Sequence, residues 1–171
     1  MWLALAFLSA TLLGCYDFFK KVKEELNATK IAVAHNLNDN AETILMHIIR
    51  GTGIEGMKGI GVKNNNIIRP LLSVTRDEIE RYCSENDLSP MIDKTNFETV
   101  YTRNKVRNLL IPILKEINPE ILNSINRLGG ILTEEDEFIS SHIDTIYNDI
   151  CEEKNKLNKN KFLVLNKGIQ R

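Results

Sequence analysis

The feature that most constrains this chain is a change of hydrophobic period between residues 30 and 50. Lys30-Ile-Ala-Val-Ala34 is a short, β-leaning apolar run, whereas Ile44, Leu45, Ile48 and Ile49 recur at helical spacing between Ala41 and Arg50. Between them lies His35-Asn-Leu-Asn-Asp-Asn-Ala-Glu-Thr43, so a strand hands over to a helix inside this motif. Upstream, Phe18, Phe19, Val22 and Leu26 alternate with lysines and glutamates from Tyr16 to Asn27, which predicts an amphipathic helix feeding the strand. Helix, strand, helix is the order of an α/β fold.

The motif carries chemistry. Asp39 and Glu42 are three residues apart and Asp39 and Thr43 four, so all three share one face of the first helical turn. Asp39 with Glu42 reads equally as a capping pair. Capping does not account for His35, which closes the strand at the carboxyl end of a sheet, where open α/β folds bind their ligands. A catalytic cluster of His35, Asp39 and Glu42 and a helix cap both fit the residues.

Composition sets outer bounds. The chain has 171 residues, 43% hydrophobic and 26% charged, which excludes a disordered chain and suits one good core or two small ones. Cys15, Cys83 and Cys151 are far apart, which argues against a disulfide framework, a zinc site or an iron–sulfur site and fits a reducing cytoplasm. Met1 to Gly14 is almost wholly apolar, and Leu12-Leu13-Gly14-Cys15 has the look of a lipoprotein cleavage box. The run has no Lys or Arg before it and is too short to span a bilayer, so the expectation is a buried element or a false start, with no membrane anchor.

Further along, Gly51-Thr52-Gly53 stops the helix, and Gly56, Gly59, Gly61 and Asn64-Asn65-Asn66 read as a flexible surface loop. Ile67 to Leu72 is a second apolar run, and Pro70 argues for a strand end or an edge. Thr75-Arg76-Asp77-Glu78 is a capping box for a helix to about Asn86, with Ile79, Tyr82 and Cys83 on its inner face. Met91 to Glu98 is polar and irregular. Val106, Leu109, Leu110, Ile113, Leu114 and Ile117 form a helical stripe that Pro112 should kink or split. Asn118-Pro119 restarts a helix whose apolar positions continue to Ile150, with a bend expected at Gly129-Gly130 and His142 as a surface histidine. Lys154 to Lys161 reads as a polar linker and Phe162 to Leu165 as the start of a strand.

Charge is unevenly spread. Tyr101 to Glu116 holds four bases and one acid, Ile117 to Glu153 nine acids and one base, and Lys154 to Arg171 six bases and no acid. In the first block Arg103 and Arg107 lie one helical turn apart, with Tyr101 and Asn104 near the helix start. Two guanidiniums on one face make a phosphate clamp, or a solvated basic face.

His35 to Thr43 followed by Leu45-Met46, Arg50-Gly51-Thr52-Gly53, Ile68-Arg69-Pro70-Leu71-Leu72 and Tyr101-Thr102-Arg103-Asn104-xx-Arg107 closely resembles the tRNA(Ile)-lysidine synthetases, from residue 16 to about 140. These are N-type ATP pyrophosphatases of the PP-loop superfamily. The resemblance implies a partial Rossmann-like, adenine nucleotide alpha hydrolase-like parallel sheet with helices over residues 1–117. An α-helical segment and the start of a C-terminal tRNA-binding domain would follow over 118–171. It implies ATP and Mg²⁺ as cofactors, tRNA(Ile) with a CAU anticodon and free L-lysine as partners, cytoplasmic location, and leaves a homodimer open. In such enzymes the C2 oxygen of the wobble cytidine is adenylated and the lysine ε-amine then displaces AMP.

The implied roles are Asp39 for lysine or metal, His35 and Glu42 for the adenylation pocket, and Thr43, Arg103 and Arg107 for ATP or tRNA phosphates. The family's Ser-Gly-Gly-x-Asp-Ser loop does not occur in this sequence, and Cys15 stands where relatives tend to have Arg. The expectation is an N-terminally truncated enzyme with little or no activity alone. A non-catalytic tRNA-binding module, a tRNA thiolation enzyme of the same superfamily and a lipid-anchored protein are the competing readings.

Overall fold

The computed structural model describes residues 3–4, 12–90, 102–153 and 156–170. Its main sheet runs in the order β1 (Leu3–Ala4), β2 (Ile31–Ala32), β4 (Ile67–Ile68), β3 (Lys63–Asn64). The first three are mutually parallel, with Leu3 opposite Ile31 and Ile31 opposite Ile67, and β3 joins antiparallel. Parallel neighbours need a crossover. Helix α1 (Leu12–Glu25) supplies the one between β1 and β2, and α2 (Leu37–Arg50) begins the one between β2 and β4. Backbone bonds prolong the β2–β4 ladder past the strand limits, Val33 N–H donating to Ile68 O at 3.0 Å. The predicted α/β fold with a parallel sheet is what forms.

Several local expectations change. The strand at Ile67–Ile68 is interior, flanked by β2 and β3, so of the two places expected for Pro70 the strand end holds and the edge does not, and no ladder bond is lost there. The edge belongs to Lys63–Asn64, inside the stretch read as loop, where Asn65 turns the chain at φ 52°. That loop also holds a single helical turn, α3 (Ile54–Met57), pinned by His47 Nδ1 against Gly56 O at 2.7 Å. Helix α4 (Arg76–Glu85) starts at the Thr75–Glu78 capping box as expected. Tyr82, however, is 62% exposed and so does not face inward; Ile79 and Cys83 are half-buried. Met91 to Glu98 lies outside the described residues.

The proline problem at 112 is solved without a break. Helix α5 (Thr102–Lys105) passes through a π-helical turn at Val106–Leu110 into α6 (Ile111–Ile117). In a regular helix the Pro112 ring would strike the Asn108 carbonyl. Here the turn is widened, Ile111 N–H reaching back five residues to Val106 O, and Pro112 sits in the first turn of α6.

The chain forms two compact units, Met1–Gly129 and Gly130–Arg171. The expected division at residue 117 falls earlier, because the first turns of α7 (Ile121–Ile150) belong to the first core. That core joins Leu37, Ala41 and Ile44 of α2 to Val106, Ile111, Leu122 and Ile125. Each such Leu, Ile or Val contributes about 1.5–3 kcal/mol by leaving water. Asn126 reinforces the join, donating to Leu37 O at 3.1 Å and accepting from Asn40 Nδ2 at 2.7 Å. In the second unit the stretch read as linker contributes β6 (Lys156–Leu157), which pairs antiparallel with β5 (Cys151–Glu153), and its last residues enter the next helix. The predicted strand from Phe162 is instead part of helix α8 (Lys159–Leu163), because Asn158 caps it by accepting from Lys161 N–H at 3.0 Å. No described helix is long and apolar enough to cross a membrane.

Candidate functional site

Helix α2 is capped three residues earlier than the Asp39–Glu42 pair suggests. Asn36 is the N-cap: its Oδ1 accepts from Asp39 N–H at 3.0 Å, and Asp39 Oδ2 accepts from Asn36 N–H at 3.1 Å. Asp39 is thus the acidic member of the capping box. Glu42 takes no part in capping and is free to look inward, one turn on.

There it is buried, 1% exposed, and gripped by the basic helix. Arg107 Nε donates to Oε1 at 2.6 Å and Nη2 to Oε2 at 2.9 Å, a two-bond fork, while Nη2 also reaches Asp39 Oδ1 at 3.0 Å. Arg103 approaches the same carboxylate, Nε 3.3 Å from Oε2, and donates from Nη2 to Thr43 Oγ1 at 2.8 Å. The Arg103 Nε contact is electrostatic only, since that buried atom makes no hydrogen bond among the described residues. Thr43 passes the chain of bonds on, its hydroxyl donating to Asp39 O at 2.8 Å. Of the six expected site residues, one network joins all but His35: Asp39, Glu42, Thr43, Arg103 and Arg107. Tyr101 lies outside the described residues.

The network sorts these residues by access. Glu42 cannot meet a ligand directly, so its place is that of the counter-ion that seats two arginines. Arg107 is spent on Glu42 and Asp39, with 21% of its side chain exposed; Arg103 keeps 40% exposed and has one Nη group outside the bonds just given. Asp39, 18% exposed, is the carboxylate of the pair that solvent reaches. Burial pushes the Glu42 carboxyl above its ordinary value, and the bonds and charge of Arg107 pull against that. Burial also works against the Arg107 charge, but Glu42 and Asp39 outweigh it and hold the guanidinium more firmly protonated.

His35 stands at the end of the β2 run beside Arg69, which follows β4 on the neighbouring strand. Arg69 Nε donates to His35 Nδ1 at 3.4 Å, and its Nη1 donates to Gly61 O at 2.7 Å. Burial holds the imidazole below its ordinary pKa, with Asp39 opposing and Arg69 and Arg103 adding to the effect. Sequence reasoning gave Arg69 no role. The signal was available: an arginine at the carboxyl end of an apolar run, beside the strand that ends in the histidine. Among the described residues no group of three His, Cys, Asp or Glu side chains is placed to hold a metal ion.

A family model described as a PP-loop domain matches residues 14–114, a stretch that contains the whole network. The chain belongs to the PP-loop family. Within it, this PP-loop chain is 42% identical over 161 residues to the tRNA(Ile)-lysidine synthase of Clostridioides difficile, covering 91% of this chain and 35% of that protein. It is 48% identical to the tRNA(Ile)-lysidine synthase of Clostridium acetobutylicum, over 82% of this chain and 31% of that one. The chain therefore spans about a third of the length of the curated relatives it matches. Among solved structures, the U34-tRNA thiolase NcsA from Methanococcus maripaludis with its [4Fe-4S] cluster superposes with a TM-score of 0.54. That match is at 21% identity, over 74% of this chain and 45% of the thiolase, and it supports the shared fold.

Proposed function

We propose that this PP-loop chain serves tRNA modification of the lysidine type, the ATP-dependent joining of L-lysine to C2 of the wobble cytidine of tRNA(Ile). The observation that carries the reading is that the Asp39–Glu42–Arg107–Arg103–Thr43 network falls inside the stretch shared with tRNA(Ile)-lysidine synthases at 42–48% identity. A thiolation enzyme is the second reading, favoured only by the fold of the archaeal thiolase.

The roles follow access and charge. Attack of the C2 oxygen on the α-phosphorus of ATP breaks the bond to pyrophosphate, and the leaving group needs cations near its oxygens. Arg103, 40% exposed, provides one; Arg107, paired with Glu42 and Asp39, ties down the helix that presents it. Mg²⁺ would supply the remaining positive charge on the phosphates, and of the two network carboxylates Asp39 is the one open enough to help hold it. In the second step the lysine amine adds to C2 and the C2–oxygen bond to AMP breaks. Asp39, whose oxygens each carry one bond and keep free lone pairs, suits the lysine ammonium before it loses its proton.

The test is a chimera in which residues 16–129 of this chain replace the matched stretch of the Clostridioides difficile synthase. Transfer of labelled lysine to a tRNA(Ile) transcript bearing CAU is the expected result. A folded chimera that binds this tRNA and transfers no lysine overturns the reading; sulfur transfer in its place would favour the thiolation enzyme.

A further inference from the structure

We propose that Arg69 is a positioning residue that fixes His35 in its Nε2–H tautomer, so that His35 meets a ligand as a hydrogen-bond donor rather than as a base. A guanidinium has five N–H donors and no acceptor. With Arg69 Nε donating to His35 Nδ1 at 3.4 Å, Nδ1 must offer its lone pair and cannot carry a proton. The ring proton then resides on Nε2, for which the described residues provide no hydrogen bond.

Arg69 is itself immobilised. It is only 9% exposed, its Nη1 donates to Gly61 O at 2.7 Å, and its backbone N–H donates to Val62 O at 2.9 Å. The arginine therefore reaches His35 from a fixed base formed by Gly61 and Val62, the residues that lead into β3. The charged groups that act on the ring are Asp39, which favours a second proton, and Arg69 and Arg103, which oppose it. Burial sides with the arginines, so the ring is neutral where an isolated imidazole would already be charging.

A neutral Nε2–H within the electrostatic influence of Arg103 suits an acceptor oxygen, a base carbonyl or a phosphate. It does not suit removal of a proton from an ammonium, because the one basic nitrogen is occupied. On the function proposed above, His35 would donate to the cytidine carbonyl or to a phosphate oxygen, and the lysine would lose its proton elsewhere.

Long-range ¹H–¹⁵N correlation of the imidazoles reads the tautomer directly on the chain as it stands, with His35→Gln to assign the signal among His35, His47 and His142. Above the titration of the ring, His35 should show a protonated Nε2 and an unprotonated Nδ1. Arg69→Met should shift the pattern towards the tautomer mixture of a free imidazole, and Arg69→Lys should restore much of the Nε2–H form. An Nδ1–H pattern in the unsubstituted chain overturns the proposal even if Arg69→Met does not fold, and so does an unchanged pattern in a folded Arg69→Met. Neither outcome depends on lysine transfer, so the proposal and the functional reading fail separately.

Discussion

Arg107 closes a two-bond fork on Glu42, Nε to Oε1 at 2.6 Å and Nη2 to Oε2 at 2.9 Å, and with it locks the basic helix to the turn that follows β2. The carboxylate is buried and also faces Arg103. Glu42→Ala leaves two guanidiniums without their shared counter-ion and should cost about 3 kcal/mol, the lower part of the range for breaking a buried pair, because both arginines keep some contact with water. Urea unfolding measures this. Glu42→Ala combined with Arg107→Met should recover part of the loss, since the second change removes the stranded charge.

Acid should weaken the fold through His35. The ring's pKa lies below its ordinary 6.5 in the folded chain, chiefly through burial, so the unfolded chain binds a proton at a pH where the folded chain does not. Stability from this group is complete above pH 6.5 and declines as pH falls through the window below it, towards the folded value. His35→Gln should flatten the pH dependence of the unfolding midpoint in that window and leave it unchanged above.

Two glycines with positive φ should respond differently to alanine. Gly51 has φ 78° with nothing within 4 Å of an added Cβ, so Gly51→Ala carries backbone strain alone, about 1–2 kcal/mol. Gly59 has φ 75°, and its Cβ would overlap Asn40 Oδ1 and lie 2.9 Å from Ile44 Cγ1. That oxygen accepts from Ile60 N–H at 2.6 Å and cannot swing aside without losing the bond. Gly59→Ala should therefore add about 1–3 kcal/mol of overpacking to the same strain. Thermal unfolding of the pair gives the order.

Much of this was legible in the sequence because it depends on local chemistry. The period change at residues 30–50, the Thr75–Glu78 box and the one-turn spacing of Arg103 and Arg107 fix α2, α4 and the basic face without reference to distant parts of the chain. What was not legible depends on partners far away in sequence. Asp39 and Glu42 have equal standing as a spacing pattern, and only the approach of Arg107 from 65 residues on makes one a buried counter-ion and leaves the other partly open to solvent. The Asp39–Glu42 spacing reads as a cap, yet the helix starts one turn earlier, with Asn36 as its N-cap and Asp39 completing the box. Pro112 predicts a break by the rules of a regular helix, and the π turn before it removes the clash. The strand expected at Phe162 lost to a side-chain cap four residues upstream.

Arg103 offers the most direct test, because the account makes it the cation that faces the ligand while Arg107 holds the frame. In the chimera, Arg103→Ala should lower kcat/KM for lysine transfer by about tenfold or more, the loss of one charge-assisted hydrogen bond of about 1.5–3 kcal/mol, with little change in the unfolding midpoint. A variant that unfolds readily yet transfers lysine at the original rate would show Arg103 to be part of the frame and would contradict the account.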